Sequence, residues 1–330
     1  MGLRECYRMS FAAKLVRWQR RHGRHDLPWQ NTRDPYRIWL SEVMLQQTQV
    51  SAVIPYYHRF LARFPDVRAL AAASEEQVLE LWSGLGYYAR GRNVHRAARH
   101  IAQHGFPRKA SDIAELPGIG RSTAAAIAAF AFGERGAILD GNAKRLLSRC
   151  HALADETALW LLAERMLPQR GIEAYTQALM DLGATVCTRA KPRCDGCPVS
   201  ADCRARKMDR IADYPTRRSR AELPQRRVRW LLLRRNGAVL LERRPAPGIW
   251  GGLWCPPELV GKRPAGAKAL PPIEHGFTHF RLRIQPLLCE VKQQNMRLGK
   301  RRWLRLDEAA GAALPAPVKS LLARLHEGAH

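Results

Sequence analysis

Four cysteines fall within one short stretch, VCTRAKPRCDGCPVSADC (residues 186–203), at the spacing Cys187-x6-Cys194-x2-Cys197-x5-Cys203. Four thiolates on an irregular loop suit a cubane [4Fe–4S] cluster, in which each iron takes one sulfur. Structural zinc sites usually pair two C-x2-C knuckles or add histidines. This run has a single knuckle and no nearby His, so zinc stays as the lesser alternative. Disulfides need an oxidising compartment. The remaining cysteines, Cys6, Cys150, Cys255 and Cys289, show no partner spacing and read as core or incidental thiols.

A second constellation is ELPGIGRSTAAAIAAF (115–130), which has the shape helix, glycine turn, helix. Gly118 and Gly120 permit positive φ and bring bare backbone N–H groups to the start of a helix, where the macrodipole adds to their pull on an anion. That is the signature of a helix-hairpin-helix, which grips a DNA phosphate without reading bases. The loop inside the cysteine run is itself basic, with Arg189, Lys191 and Arg193. A cluster-stiffened loop bearing cations would serve the same phosphate backbone.

The elements that must position these groups are mostly helices up to about residue 210. FAAKLVRWQRRHG places Phe11, Leu15 and Trp18 at helical spacing and stops at Gly23. RIWLSEVMLQQTQV reads as one further helix, and SEEQVLELWSGLG as another, with Ser74 as N-cap and a glycine stop. GRSTAAAIAAFAFG, NAKRLLSRCHAL, ETALWLLAERML and EAYTQALMDLGATVC continue the pattern. Character changes near residue 213. DYPTRRSRAELPQRR (213–227) is basic, carries prolines and lacks periodicity, which marks a linker. Beyond it, two apolar runs flank Asn236-Gly237, a strong hairpin signal. HFRLRIQPLLCEVK alternates like a strand and APVKSLLARLHEG closes as a helix. The expectation is a mostly α domain over 1–212 and an α+β domain over 228–330.

Lys and Arg outnumber Asp and Glu by 55 to 29, for a formal net charge of +26 in 330 residues. The excess is spread along the chain, which favours a folded basic surface and a polyanionic partner. No apolar run approaches the length of a membrane span. The first ten residues contain no apolar signal core and do not fit a myristoylation pattern. A cytoplasmic protein without a membrane partner is expected.

The hairpin, the later LDGN and the C-x6-C-x2-C-x5-C run, in that order, resemble the endonuclease III superfamily of base-excision DNA glycosylases. LPWQNTRDPYRIWLSEVMLQQTQVSAVIPYY, LWSGLGYYARGRNVHRAA, LPGIGRSTAAAI, LDGNAKR and MDLGATVCTRAKPRCDGCP are similar to its adenine-removing branch. The resemblance implies a base-excision enzyme that hydrolyses the N-glycosidic bond of adenine mispaired with 8-oxoguanine or guanine in double-stranded DNA. It also implies a helix-hairpin-helix glycosylase domain with a [4Fe–4S] loop held by the four cysteines, followed by a Nudix-like recognition domain. In the latter, LERRPAPGIWGGLWCPPEL resembles the Nudix fold, but no magnesium-binding carboxylate cluster follows Glu258.

Carried over residue by residue, the resemblance makes Glu42 a general acid at adenine N7, desolvated so that it keeps its proton. Asp140, which from its position would ordinarily be a helix N-cap, would stabilise the oxocarbenium sugar, with Asn142 in the same network. If Asn142 supplied the capping contact, Asp140 would be free to face substrate. Ser122 stands where bifunctional relatives carry the Schiff-base lysine, implying a monofunctional hydrolase. Arg121 beside it would face phosphate. Gln47 and Tyr87 match positions that fill or wedge the stack vacated by the flipped base. Trp29, Gln30 and Gln177 match the adenine pocket, and Phe277, Thr278 and His279 match the loop that senses 8-oxoguanine. Two rival readings are an endonuclease III-like glycosylase/lyase, opposed by Ser122 and by the second domain, and a non-enzymatic Fe–S DNA-binding protein.

Overall fold

The computed structural model describes residues 10–216, 222–291 and 300–327. Among the described residues, twelve α-helices precede the sheet: α1 (Phe11–His22), α2 (Pro35–Leu45), α3 (Val50–Arg63), α4 (Val67–Ala72), α5 (Glu75–Trp82), α6 (Tyr88–His104), α7 (Ala110–Ala114), α8 (Arg121–Phe132), α9 (Gly141–His151), α10 (Glu156–Arg165), α11 (Ile172–Thr185) and α12 (Arg204–Lys207). Seven strands follow among the described residues: β1 (Gln225–Arg235), β2 (Ala238–Arg243), β3 (Trp254–Cys255), β4 (Lys268–Ala269), β5 (Ile273–Gly276), β6 (Arg281–Glu290) and β7 (Arg301–Arg305). Helix α13 (Ala316–Glu327) ends the described chain. Among the described residues no helix is long and apolar enough to cross a membrane.

The chain divides into two compact units that do not follow the change of sequence character near residue 213. Residues 1–57 and 97–219 form one, and 58–96 with 220–330 form the other. The first unit is helical. Its core joins Leu15 and Trp18 of α1, Ala125, Ala126 and Ala129 of α8, Leu146 of α9, and Tyr175, Leu179 and Leu182 of α11. Helix α8 is buried nearly all round. A run of alanines lets neighbouring backbones approach it closely at no side-chain entropy cost. Helices α7 and α8 form the expected hairpin.

The second unit is a mixed sheet in the order β3-β2-β1-β6-β4, with β5 also paired to β6 and β7 to β2. Strands β1 and β6 run parallel and every other pairing is antiparallel. The Asn236-Gly237 signal is met: both residues take positive φ (46° and 72°), joining β1 to β2 with Arg235 opposite Ala238. Strand β1 starts at Gln225, inside the stretch read as linker, because its pairing with β6 begins there. Helix α5 contributes Leu79 to the apolar core around Trp230, Leu241 and Leu322. The capping box of Ser74 with Gln77 starts α5. Polar pins then hold it to the sheet. Glu76 accepts from the Trp254 indole at 2.7 Å and from Arg302 at 3.0 Å, and the Ser83 hydroxyl donates to the Leu314 carbonyl at 2.6 Å.

Candidate active site and cysteine cavity

In the first unit a cleft of about 460 Å³ opens between the α1–α2 loop, α2 and α11. Its walls include Trp29, Gln30, Glu42 and Gln177, four residues expected to meet the base, together with Arg24, Glu173 and Phe130. Helix α2 starts where Asp34 caps it from outside with Pro35 at the first position. It buries Tyr36, Ile38, Trp39, Leu40, Val43 and Met44, which turns Glu42 to the cleft wall. Trp29 is buried edge-on against Tyr57, with ring centroids 5.3 Å apart.

Burial first, and the negative charge of Asp140 second, together raise the Glu42 pKa from 4.5 to about 8. Asp140 is not part of the cleft wall but stands near enough to act on Glu42. It caps α9, its Oδ1 accepting from the Ala143 amide at 2.8 Å. Asn142 therefore does not take over the capping. Its Nδ2 lies 3.4 Å from Asp140 Oδ2, and its Oδ1 accepts from Arg145 at 2.8 Å. The sequence offered both residues as caps. The one at the N-cap position itself wins, since its short carboxylate spans back to the third helical amide. Burial raises the Asp140 pKa too, but donors from Ala143 and Asn142 and the Arg145 charge pull against that rise. Two carboxylates thus sit in unequal surroundings, the arrangement that separates an acid from an anion.

Ser122 is also tied to this corner. Its hydroxyl accepts from the Leu139 amide at 3.0 Å, holding the segment that delivers Asp140. In the glycine turn, Gly118 has φ +80° as expected, but Gly120 is extended at φ −94°. As residue before α8 it must be extended. Its value lies in the bare face, since a Cβ there would meet nothing within 4 Å. Arg121 does not project freely. Its guanidinium pairs with Glu164 and lies 4.0 Å from the centre of the Trp160 ring.

Gln47 supplies a further correction. The sequence reads as one helix through residue 50, yet α2 stops at Leu45 and α3 starts at Val50. Gln47 between them is exposed, with φ +57°. A non-glycine residue in the left-handed region is uncommon and clusters at functional turns. Gln46 beside it donates to the Gly118 carbonyl and the Thr123 hydroxyl, both at 3.4 Å, tying this break to the hairpin.

Cys187, Cys194, Cys197 and Cys203 line one cavity with Leu146, Val186, Pro192 and Ile211. The donor set fits an iron–sulfur group: four thiols, apolar walls and cations beside them. Buried Arg149 donates to the Cys187 sulfur at 3.4 Å and to the Thr188 carbonyl at 2.7 Å, and Arg145 donates to the Cys187 carbonyl at 2.7 Å. Among the described residues, no group of three or more His, Cys, Asp or Glu side chains is set to hold a metal ion. Cys150, read from sequence as incidental, also lines this cavity. Cys255 is buried in the second unit, and Cys6 lies outside the described residues.

Comparison with known proteins bears on this arrangement. Residues 40–165 match the model of the HhH-GPD superfamily base excision DNA repair proteins, and residues 229–324 match that of the NUDIX domain. An adenine DNA glycosylase of Buchnera aphidicola subsp. Baizongia pistaciae is 33% identical, over 96% of this chain and 97% of that protein. The adenine DNA glycosylase of Homo sapiens is 31% identical, over 97% of this chain and 74% of that protein. The chain belongs to the adenine DNA glycosylase family. Among solved structures, a thermostable thymine-DNA glycosylase aligns over 60% of this chain and 95% of its own, at 28% identity and TM-score 0.56. An endonuclease III–DNA complex, at 19% identity and TM-score 0.53, shares the helical fold.

In this member of the adenine DNA glycosylase family the second unit presents four more of the expected residues at two turns. Tyr87, 48% exposed, has φ +48° and stacks on the buried Arg90 guanidinium, 5.2 Å from its ring centre. Arg90 in turn donates to the Gly86 carbonyl at 3.3 Å. The second turn joins β5 to β6. The Phe277 amide donates to the Phe280 carbonyl at 2.9 Å, and the two rings stack at 4.5 Å. Thr278 and His279 are left exposed at the tip.

Sequence reasoning missed Arg149, Arg24, Asp181 and Gly183. Asp181 follows Gln177 by one helical turn, a spacing that signals contact. The Gly183 role carries no such signal. A Cβ at this position would lie 2.5 Å from Asn142 Cβ and 3.0 Å from its Cα. Only glycine lets α11 pass so close to the start of α9.

Proposed function

We propose that the protein is a monofunctional adenine DNA glycosylase that acts on adenine opposite 8-oxoguanine or guanine in duplex DNA. The observation that carries this reading is the Glu42 carboxyl, pushed up to about 8 in the wall of a base-sized cleft. At neutral pH it holds a proton. Donated to adenine N7, that proton makes the base a neutral leaving group as the N9–C1′ bond breaks. Asp140, held as an anion by its donors, stabilises the cationic sugar that remains, and water completes the hydrolysis at C1′.

Flipping the base costs a few kcal/mol of unstacking. Gln47 and Tyr87 fill or wedge the gap, and Trp29, Gln30 and Gln177 receive the base. Gly118 and Gly120 offer amides to the phosphate backbone, joined by Arg121 once it leaves Glu164. The net charge of +26 supports a polyanionic partner. Phe277, Thr278 and His279 read the opposite base from the second domain. Cys187, Cys194, Cys197 and Cys203 would hold a [4Fe–4S] cluster, which when bound cross-links the 187–203 loop. The setting is the cytoplasm, at the nucleoid, with the protein as a monomer of a 1–212 glycosylase domain and a 228–330 recognition domain.

Ser122 supports the monofunctional reading, since a hydroxyl forms no imine. The test incubates the protein with A:8-oxoG, A:G and A:T duplexes, measures released adenine and traps with borohydride. Adenine release from the first two without abundant trapped adduct is expected. Abundant adduct favours a lyase, and no release from any duplex sinks the reading.

A further inference from the structure

Asp181 on α11 is fully buried, with 0% of its side chain exposed. Its Oδ2 accepts from the Arg24 amide at 3.0 Å, and its Oδ1 from Arg24 Nε at 2.7 Å. Arg24 Nη2 stands 2.7 Å from the same Oδ1. A further donor reaches Oδ1 as well, Gln177 Nε2 at 2.9 Å. Arg24 and Gln177 both line the cleft that holds Glu42.

A primary amide has a donating end and an accepting end, and rotation by half a turn exchanges them. A carboxylate only accepts. Asp181 therefore fixes which way Gln177 faces: the NH2 group must meet the carboxylate, and a flipped amide would set its carbonyl against a buried anion. That leaves the carbonyl oxygen of Gln177, a residue lining the cleft, as the group free to accept. Gln30 is wired in the opposite sense. Its Oε1 accepts from the Leu27 amide at 3.3 Å, and its Nε2 is buried with no hydrogen-bond partner.

Two glutamines, indistinguishable by type, thus give the cleft one fixed acceptor and one fixed donor. An edge of adenine offers the complement, the 6-amino donor beside a ring-nitrogen acceptor. Guanine turns an oxygen to the same place and would face the Gln177 carbonyl oxygen.

We propose that Asp181 is a specificity-determining positioning residue: by locking the Gln177 amide, it sets the cleft to take a 6-amino purine and reject a 6-oxo purine. This rests on the adenine glycosylase reading. Arg24 neutralises the buried charge of Asp181, so the lock survives desolvation.

The test compares single-turnover release of adenine with that of unsubstituted purine, which lacks the 6-amino group, each opposite 8-oxoguanine. In Asp181→Asn the adenine-to-purine rate ratio should fall at least tenfold, roughly the cost of one mispaired buried polar group. In a Gln177→Leu background the same substitution should leave the ratio unchanged. A purely structural Asp181 would slow both bases equally, and that result overturns the proposal. Should the variant not fold, the wild-type protein decides. Slow solvent exchange of the Gln177 side-chain NH2 protons supports the lock, and exchange as fast as in a free amide overturns it. Failure to release adenine from any duplex would instead count against the parent reading, and the exchange experiment would still judge the lock.

Discussion

The charge of Asp140 adds to burial in keeping a proton on Glu42, while Asp140 is itself surrounded by donors from Ala143 and Asn142 and by the Arg145 cation. The two carboxyls share a neighbourhood without sharing a fate. One keeps its proton because packing in the cleft wall desolvates its carboxyl. The other can shed its proton because a helix start supplies partners for the anion. On the proposed role, capping and catalysis are one job at Asp140, since the contacts that start α9 are those that hold the charge.

This difference sets a pH profile. Single-turnover adenine release should fall about tenfold per pH unit above about 8, as Glu42 loses its proton. An acid limb should lie above pH 3.8, where Asp140 becomes protonated. Stability follows the Glu42 proton too. The folded pKa, about 8, exceeds the ordinary carboxyl value of 4.5, so the native state binds the proton more tightly and stability declines as pH rises between them. Glu42→Gln should abolish release yet stabilise the protein at pH 8.5 by ~2 kcal/mol, below full linkage because the cleft is open to water. Denaturant titrations at pH 5 and 8.5 measure the difference.

Gln47 should show the same opposition between stability and activity. Gln47→Gly relieves the cost of φ +57° in a non-glycine residue. It should leave stability level or raise it by up to ~1 kcal/mol. Removing the side chain proposed to fill the stack should still slow base release at least tenfold, with duplex binding retained. Thermal melting and single-turnover kinetics on one preparation separate the two effects.

The helical first domain, the Asn236-Gly237 hairpin, the Ser74 cap and the cysteine run were legible in the sequence because each depends on local chemistry. The break at Gln47 was not. Its apolar spacing continues the helix, and the reason for stopping lies in the contacts of Gln46 with Gly118 and Thr123. Arg149 escaped for a similar reason: nothing near it in sequence tells that its guanidinium serves the loop at 187–189. The candidate acid Glu42 was legible only by resemblance, since a glutamate on a helix is usually a surface residue. Its desolvation is a property of the packed cleft.

Gly183→Ala tests the close approach of α11 to α9. The added methyl would meet Asn142 backbone at 3.0 Å as well as its Cβ at 2.5 Å, and neither is the yielding end of a side chain. A loss of roughly 1–3 kcal/mol in stability is expected. Activity at a temperature where the variant is folded should also drop, because Asn142 and Asp140 shift together. A silent substitution would contradict the packing described.

The turn at Thr278 and His279 should govern discrimination. His279→Ala is expected to narrow the preference for A:8-oxoG over A:G by about tenfold, the worth of one hydrogen bond to a buried group. Adenine release from A:G itself should stay within about threefold of wild type, since His279 is not among the residues that line the cleft with Glu42. Parallel single-turnover assays on the two duplexes supply the ratio.

The most direct measurement follows a single turnover of adenine release from an A:8-oxoG duplex by the wild-type protein, Glu42→Gln and Asp140→Asn, with duplex affinity measured alongside. Both variants should lose release by a factor of about a thousand or more, in the range of an essential acid–base or electrostatic group, while affinity holds within about tenfold. Near-normal release by either one would mean that the chemistry is not done by this pair.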